Sequence, residues 1–178
     1  AFLMQTGHHI AAWRHPDAQA DAGTNFRHYA ELARQAEAAK FDAVFFADSS
    51  GVRSTHLPSL ARTARADQLE PLTLLAALAT VTERIGLIAT VSTSFNEPYN
   101  VARKFASIDL ISGGRAGWNL VTSSSDAEAR NFNRDRHTEH AVRYERAAEF
   151  HDVVQGLWDS WEDEALLRDK TSGLFYDT

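Results

Sequence analysis

Short apolar runs alternate along this chain with longer amphipathic stretches, and the alternation recurs four times. A brief run occupies residues 2–5. Phe41-Asp42-Ala43-Val44-Phe45-Phe46-Ala47 is almost continuously apolar, as are Ile85-Gly86-Leu87-Ile88-Ala89-Thr90-Val91 and residues 116–121. Continuous rather than alternating runs predict strands covered on both faces, the parallel-sheet case. The stretches between them carry helical spacing. Tyr29, Leu32, Ala33 and Ala36 share one face of a predicted helix that Thr24 or Asn25 caps and that runs to Lys40. Pro71 opens a second helix over 72–83 and Pro98 a third, since a fixed φ and a missing N–H cost nothing at the first helical position. Val101, Phe105, Ile108 and Ile111 keep helical spacing in the third, and Gly113-Gly114 stops it. After a charged loop a last helix is predicted over 137–158, with an irregular tail beyond Trp161.

Strand–helix alternation with short helix-to-strand turns and longer strand-to-helix loops predicts a parallel α/β fold with right-handed crossovers. Four such units make either an open doubly wound sheet or half of an eight-stranded barrel. In both, ligands bind at the carboxyl ends of the strands. All four predicted strands end there in polar residues: Gly7-His8-His9, Asp48-Ser49-Ser50, Thr90 with Ser92-Thr93-Ser94, and Asn119 with Thr122-Ser123-Ser124-Ser125. The opposite ends carry only turn chemistry. Four polar ends in four strands predict a shared cavity. The excursion over 48–70, with Arg53, His56, Arg62 and Arg65, is a candidate lid.

Composition narrows the chemistry. Among 178 residues there is no cysteine, which excludes disulfides, thiolate nucleophiles and zinc–thiolate centres. A net charge of −6 with scattered basic residues gives no footprint for nucleic acid or an anionic membrane. No apolar run approaches the about 18–20 residues that span a bilayer, and a cytoplasmic protein is expected. The glycines form neither a dinucleotide fingerprint nor a P-loop, and no G-x-S-x-G elbow occurs. His137, His140 and Tyr144 fall on one face of the predicted last helix, yet the spacing is not H-E-x-x-H, and no metal site is predicted.

Several stretches carry a further signal. Gly7-His8-His9-Ile10-Ala11-Ala12-Trp13-Arg14-His15-Pro16, the run 41–49, Thr90 to Tyr99, and Ser112-Gly113-Gly114-Arg115-Ala116-Gly117-Trp118-Asn119-Leu120-Val121-Thr122-Ser123 occur in order. Asn131-Phe132 and His140-Ala141-Val142-Arg143-Tyr144 follow. Over residues 1 to about 165 this set resembles the bacterial-luciferase-like, FMN-dependent monooxygenases, in the branch of the nitrilotriacetate, dibenzothiophene-sulfone and long-chain-alkane enzymes. The resemblance implies a (β/α)8 TIM-barrel fold and FMN reduced to FMNH2 by a separate NAD(P)H-dependent flavin reductase. It also implies oxidation of a small organic substrate by O2 through a flavin peroxide. It assigns Asp48, Thr90, Asn119, Ser123, His140 and Tyr144 to flavin binding, and His8 or His9 to the reactive edge.

A complete barrel of this kind takes about 250 residues or more. The chain is therefore expected to supply, over 1–178, only the first four βα units, the N-terminal half of a barrel domain in a longer polypeptide. Parallel edges left open predict association with other copies. The alternatives are a deazaflavin F420-dependent oxidoreductase on the same barrel, a metal-dependent barrel hydrolase built on the histidines, and a non-catalytic flavin-binding subunit.

Overall fold

The computed structural model describes residues 1–4, 6–52 and 56–177. In chain order the elements are α1 (Phe26–Ala38), β1 (Ala43–Phe46), α2 (Leu57–Leu60), α3 (Pro71–Ala79), β2 (Gly86–Ser92), α4 (Pro98–Ser112), β3 (Ala116–Val121), α5 (Asp126–Asn131) and α6 (His140–Trp158), preceded by one 3-10 turn at Ala12–Arg14. The three strands are parallel and neighbour one another in the order β1-β2-β3, with Phe46 beside Ala89 and Thr90 beside Asn119. The chain start lies along the outer edge of β1. Phe2 bridges Phe45 in the parallel sense, Phe45 N donates to the Ala1 carbonyl at 2.8 Å, and Leu3 N donates to the Phe45 carbonyl at 3.2 Å. The strand expected over 2–5 is thus reduced to a single bridge. Pairing stops because the chain turns at Met4, whose carbonyl accepts from Gly7 N at 2.8 Å, with Gly7 at φ 108; Gln5 lies outside the described residues.

Strand order follows chain order without reversal. Crossovers of one hand then put every connecting helix on the same face of the sheet. Helix α1 packs on β1, α3 on β2 and α4 on β3, while α6 lies across α4. Val44, Phe46, Leu87, Ala89 and Val91 form one apolar cluster with Leu75, Leu78, Val101, Phe105, Phe150 and Val154 from the helices. Full burial contributes about 1.5–3 kcal/mol for each large aliphatic side chain. The alternate residues, Ile88, Thr90 and Ser92 opposite Gly117, Asn119 and Val121, share the other face. There a Cβ on Gly117 would stand 2.9 Å from Ile88 Cγ1. No helix among the described residues is long and apolar enough to cross a membrane.

The amino end of the sheet is held by two charged side chains. Glu37 Oε1 accepts from the backbone N–H groups of Glu83, Arg84 and Ile85 at 3.0, 2.7 and 2.9 Å. Arg115 donates to the carbonyls of Ser112, Ile85, Ala79 and Thr82 and to the Thr82 hydroxyl, all within 3.1 Å. This clamp explains why α3 ends at Ala79 rather than at 83: the Thr80 and Thr82 hydroxyls bond back to Ala77 and Leu78, and the next amides turn to Glu37.

Two further boundaries depart from the expected ones. The last helix begins at His140, not 137, because His137 N donates to Asp126 Oδ1 at 2.8 Å and Arg143 Nη1 to the Thr138 carbonyl at 3.0 Å, bending the chain before Glu139. The charged loop after β3 contains α5. Ser125 caps it by accepting from Ala127 N, and Asp126 and Glu128 occupy the first turn, where the helix dipole favours anions.

Candidate active site

The carboxyl ends of the strands carry the polar residues singled out above. Asp48 follows β1 half-buried, and its Oδ1 accepts from Gln68 Nε2 at 2.7 Å. Burial pushes its carboxyl above the usual carboxylate range and the charges of Glu70 and Glu128 add to this, against the Ser49 amide and Gln68. On the open face of the sheet, Asn119 Nδ2 donates to the hydroxyl of buried Thr90 at 2.9 Å. One step further the Ser123 hydroxyl donates to that of Ser92 at 2.8 Å. Ser123 sits at φ 54, in the left-handed region that costs a non-glycine residue about 1–2 kcal/mol. The strain is held by the chain on either side: Thr93 N donates to the Val121 carbonyl at 2.9 Å, and the Ser94 hydroxyl to the Thr122 carbonyl.

Two cavities open at this end. One, of about 320 Å³, is lined by Asp48, Thr90, Ser92 and Ser123 on its polar side and by Leu72, Val91 and Phe132 on its apolar side. The other, of about 680 Å³, lies between Met4, Ile10, residues 47–52 and the excursion that carries Leu60, Arg65 and Gln68. Asp48, Ser49, Ser50 and Glu70 line both, so the segment after β1 is the wall between them. The fold therefore brings together Asp48, Thr90, Ser123 and, through Thr90, Asn119.

The other expected site residues stand apart. His8 and His9 occupy an exposed turn and line neither cavity, although Met4 and Ile10 on either side of them line the larger one. His8 Nδ1 lies 3.1 Å from Met4 Sδ, and His9 Nδ1 accepts from Ala11 N at 3.1 Å. His140 and Tyr144 are exposed on the first turns of α6 and stack on each other at 4.6 Å. Arg146, just beyond, ties that helix to the same sheet end through the Thr93 and Asn96 carbonyls at 3.1 and 3.2 Å. His137 does not share their face: off the helix, it packs edge-on against Phe95 at 5.2 Å. Among the described residues, no group of three or more His, Asp or Glu side chains is arranged to hold a metal ion.

The described part of the candidate lid, 48–52 and 56–70, is folded. It contains α2, His56 Nδ1 lies 2.8 Å from Ser59 Oγ, and Trp13 Nε1 donates to the Arg62 carbonyl at 3.0 Å, pinning it to the chain start. Arg65 lines the larger cavity, whereas Arg53 lies outside the described residues.

Sequence reasoning missed Glu128 and Gln68. The pattern Ser125-x-x-Glu128 was the available signal, since Ser/Thr-x-x-Glu marks a helix start. In the fold, however, Glu128 turns inward to the segment after β1 rather than back to its own cap.

A family model described as luciferase-like monooxygenase matches residues 4–170. Component A of nitrilotriacetate monooxygenase from Aminobacter aminovorans is 52% identical over 184 residues, covering 98% of this chain and 40% of that protein. The crystal structure of long-chain alkane monooxygenase superposes with a TM-score of 0.91 at 35% identity, over 99% of this chain and 42% of that one. A riboflavin lyase structure containing modified FMN and riboflavin gives 0.86 at 33% identity, over 99% and 40%. The chain spans about two-fifths of the length of the curated relatives it matches.

Proposed function

The chain belongs to the luciferase-like monooxygenase family, and we propose that it is the N-terminal half of an eight-stranded (β/α) barrel enzyme that uses O2 to oxidise a small organic substrate. In this reading FMN is the cofactor and arrives reduced from a separate NAD(P)H-dependent flavin reductase, in the cytoplasm where that reductant is available. The naming of one relative as a component A supports the two-protein arrangement. The barrel reading is supported by the winding. Helices cover one face of a sheet whose strands follow chain order, which is how a closing barrel is built, whereas a doubly wound sheet reverses its order and has helices on both faces. Exposed Leu110 and Ile111 on α4, at 85% and 56%, support association between copies.

The observation that carries the reading is the convergence of Asp48, Thr90 and Ser123 on one strand-end cavity with an apolar side, with Asn119 bonded to the Thr90 hydroxyl. That donor set fits a flavin ring, a flat apolar body with a polar amide edge. An acidic side chain and hydroxyls meet the edge, while Leu72, Val91 and Phe132 meet the body. When bound, reduced FMN supplies the oxygen chemistry; the protein supplies orientation and exclusion of water. Asp48 and Ser123 would hold the ring edge, with Thr90 kept in place by Asn119. His140 and Tyr144, stacked on α6, would hold the cofactor farther out. His8 or His9, on the exposed turn between Met4 and Ile10, would accept and return a proton at an imidazole nitrogen.

The test is substrate-dependent oxygen uptake by the full-length protein with FMN, NAD(P)H and a flavin reductase. Oxygen uptake that needs both reductase and FMN is expected. Turnover with F420 and no oxygen demand, or turnover restored by a metal after chelation with no flavin present, would replace the reading.

A further inference from the structure

Among the described residues Glu128 is the one charged side chain in the buried class, 6% exposed. A buried carboxylate is costly unless its oxygens are hydrogen-bonded, and here both donors come from a segment 78 and 79 residues away. Oε1 accepts from the Ser49 hydroxyl and from Ser50 N, each at 3.1 Å. Two further contacts lock α5 onto the same turn: Asn131 Nδ2 donates to the Ser50 carbonyl at 2.6 Å, and Gly51 lies so close that a Cβ there would stand 2.7 Å from Glu128 N. The turn follows directly on Asp48 and forms the wall between the two cavities. A charged group has been placed where a purely structural contact needs only shape, on the residues next to Asp48, whose carboxylate also accepts from the Ser49 amide.

We propose that Glu128 is a positioning residue of the flavin site: it fixes the turn at 49–51 and thereby holds Asp48 against the cavity. This rests on the flavin reading above. Glu128 itself makes no contact assigned to the cofactor; it acts through Asp48. An acceptor at this position is therefore required, whereas its negative charge matters less.

The experiment is titration of the full-length protein with FMN, followed by flavin fluorescence and by the visible absorption band of the bound flavin. Glu128→Ala should weaken binding about tenfold, the loss of about 1.4 kcal/mol, and shift the band. Glu128→Gln, whose amide oxygen can accept both bonds, should stay within about threefold of wild type. In an Asp48→Ala background, Glu128→Ala should add less than about twofold, because residues acting through one another are not additive. Arg115→Ala, destabilising but at the opposite end of the sheet, should leave FMN affinity unchanged. The assignment is overturned if Glu128→Ala binds FMN as wild type does, if its effect multiplies with that of Asp48→Ala, or if Arg115→Ala weakens FMN as much. Wild-type protein that binds no FMN would overturn the flavin reading itself, and this assignment with it.

Discussion

Replacing Gly51 with alanine perturbs the wall between the two cavities without removing a charge or a hydrogen-bonding group. The φ of Gly51 lies outside the left-handed region, so alanine meets no backbone penalty there, and the whole effect is steric. The added Cβ would stand 2.7 Å from Glu128 N, 2.9 Å from the Ala127 carbonyl carbon and 3.0 Å from Glu128 Cα. All three are backbone atoms of α5, so no side chain can swing aside. Ordinary contact begins near 3.4 Å, and the helix must therefore retreat by about 0.7 Å. Overpacking of this size costs about 1–3 kcal/mol. The same retreat would lengthen the bond from Ser50 N to Glu128 Oε1 from 3.1 Å to about 3.8 Å, beyond hydrogen-bonding range. That adds part of the about 1–3 kcal/mol cost of a buried acceptor losing its donor. Thermal unfolding should show Tm lower by about 2 °C or more, and FMN titration of the full-length protein should show weaker binding. A Tm within 1 °C of wild type together with unchanged FMN affinity would refute the claim that α5 is packed rigidly on this turn and governs the site.

Other consequences are as direct. Because folding raises the Asp48 carboxyl above its ordinary range, chiefly by burial, the stability linked to its neutral form is fully present below the unfolded pKa and is lost as pH rises through the folded one. Asp48→Asn should therefore raise Tm at pH 7 and by progressively less toward pH 4, while weakening FMN binding; a constant difference across that range would contradict the burial argument. Ser123→Gly removes about 1 kcal/mol of left-handed strain together with the hydroxyl, so Tm should hold or rise as FMN affinity falls, and a parallel fall in both would refute the assignment. Arg115→Ala should cost about 2–3 kcal/mol by urea denaturation, since four carbonyls lose a charged donor at the amino end of the sheet. Glu37→Ala should cost about 1–2 kcal/mol through the three amides it caps, and substitution without measurable loss would show those amides to be equally well solvated.

Much of this architecture is local, and local order is written in the chain. The apolar runs became β1, β2 and β3, but the expected cover on both faces is not found among the described residues: helices bury one face only, so β1 alternates buried and half-buried residues and all of β3 is half-buried. Asn25 caps α1, Pro71 and Pro98 open α3 and α4, and Gly113 ends α4 at φ 70, as the chemistry of each residue type requires. The ordered motifs identified the family, and three of the expected residues, Asp48, Thr90 and Ser123, line one strand-end cavity, with Asn119 joined to it through Thr90. What the tertiary structure alone decided depends on partners far apart in sequence. The first strand shrank to one bridge because the turn at Met4 leaves only Ala1 to Leu3 beside β1. His137 left the helix because Asp126 captures its amide from 11 residues away. Glu128 became the buried acceptor for Ser49 and Ser50 across 79 and 78 residues. Periodicity and capping patterns extend over a turn or two of helix, so a carboxylate reading the backbone of a distant strand end leaves no trace in them, and only the packing of α5 on the segment after β1 determines it.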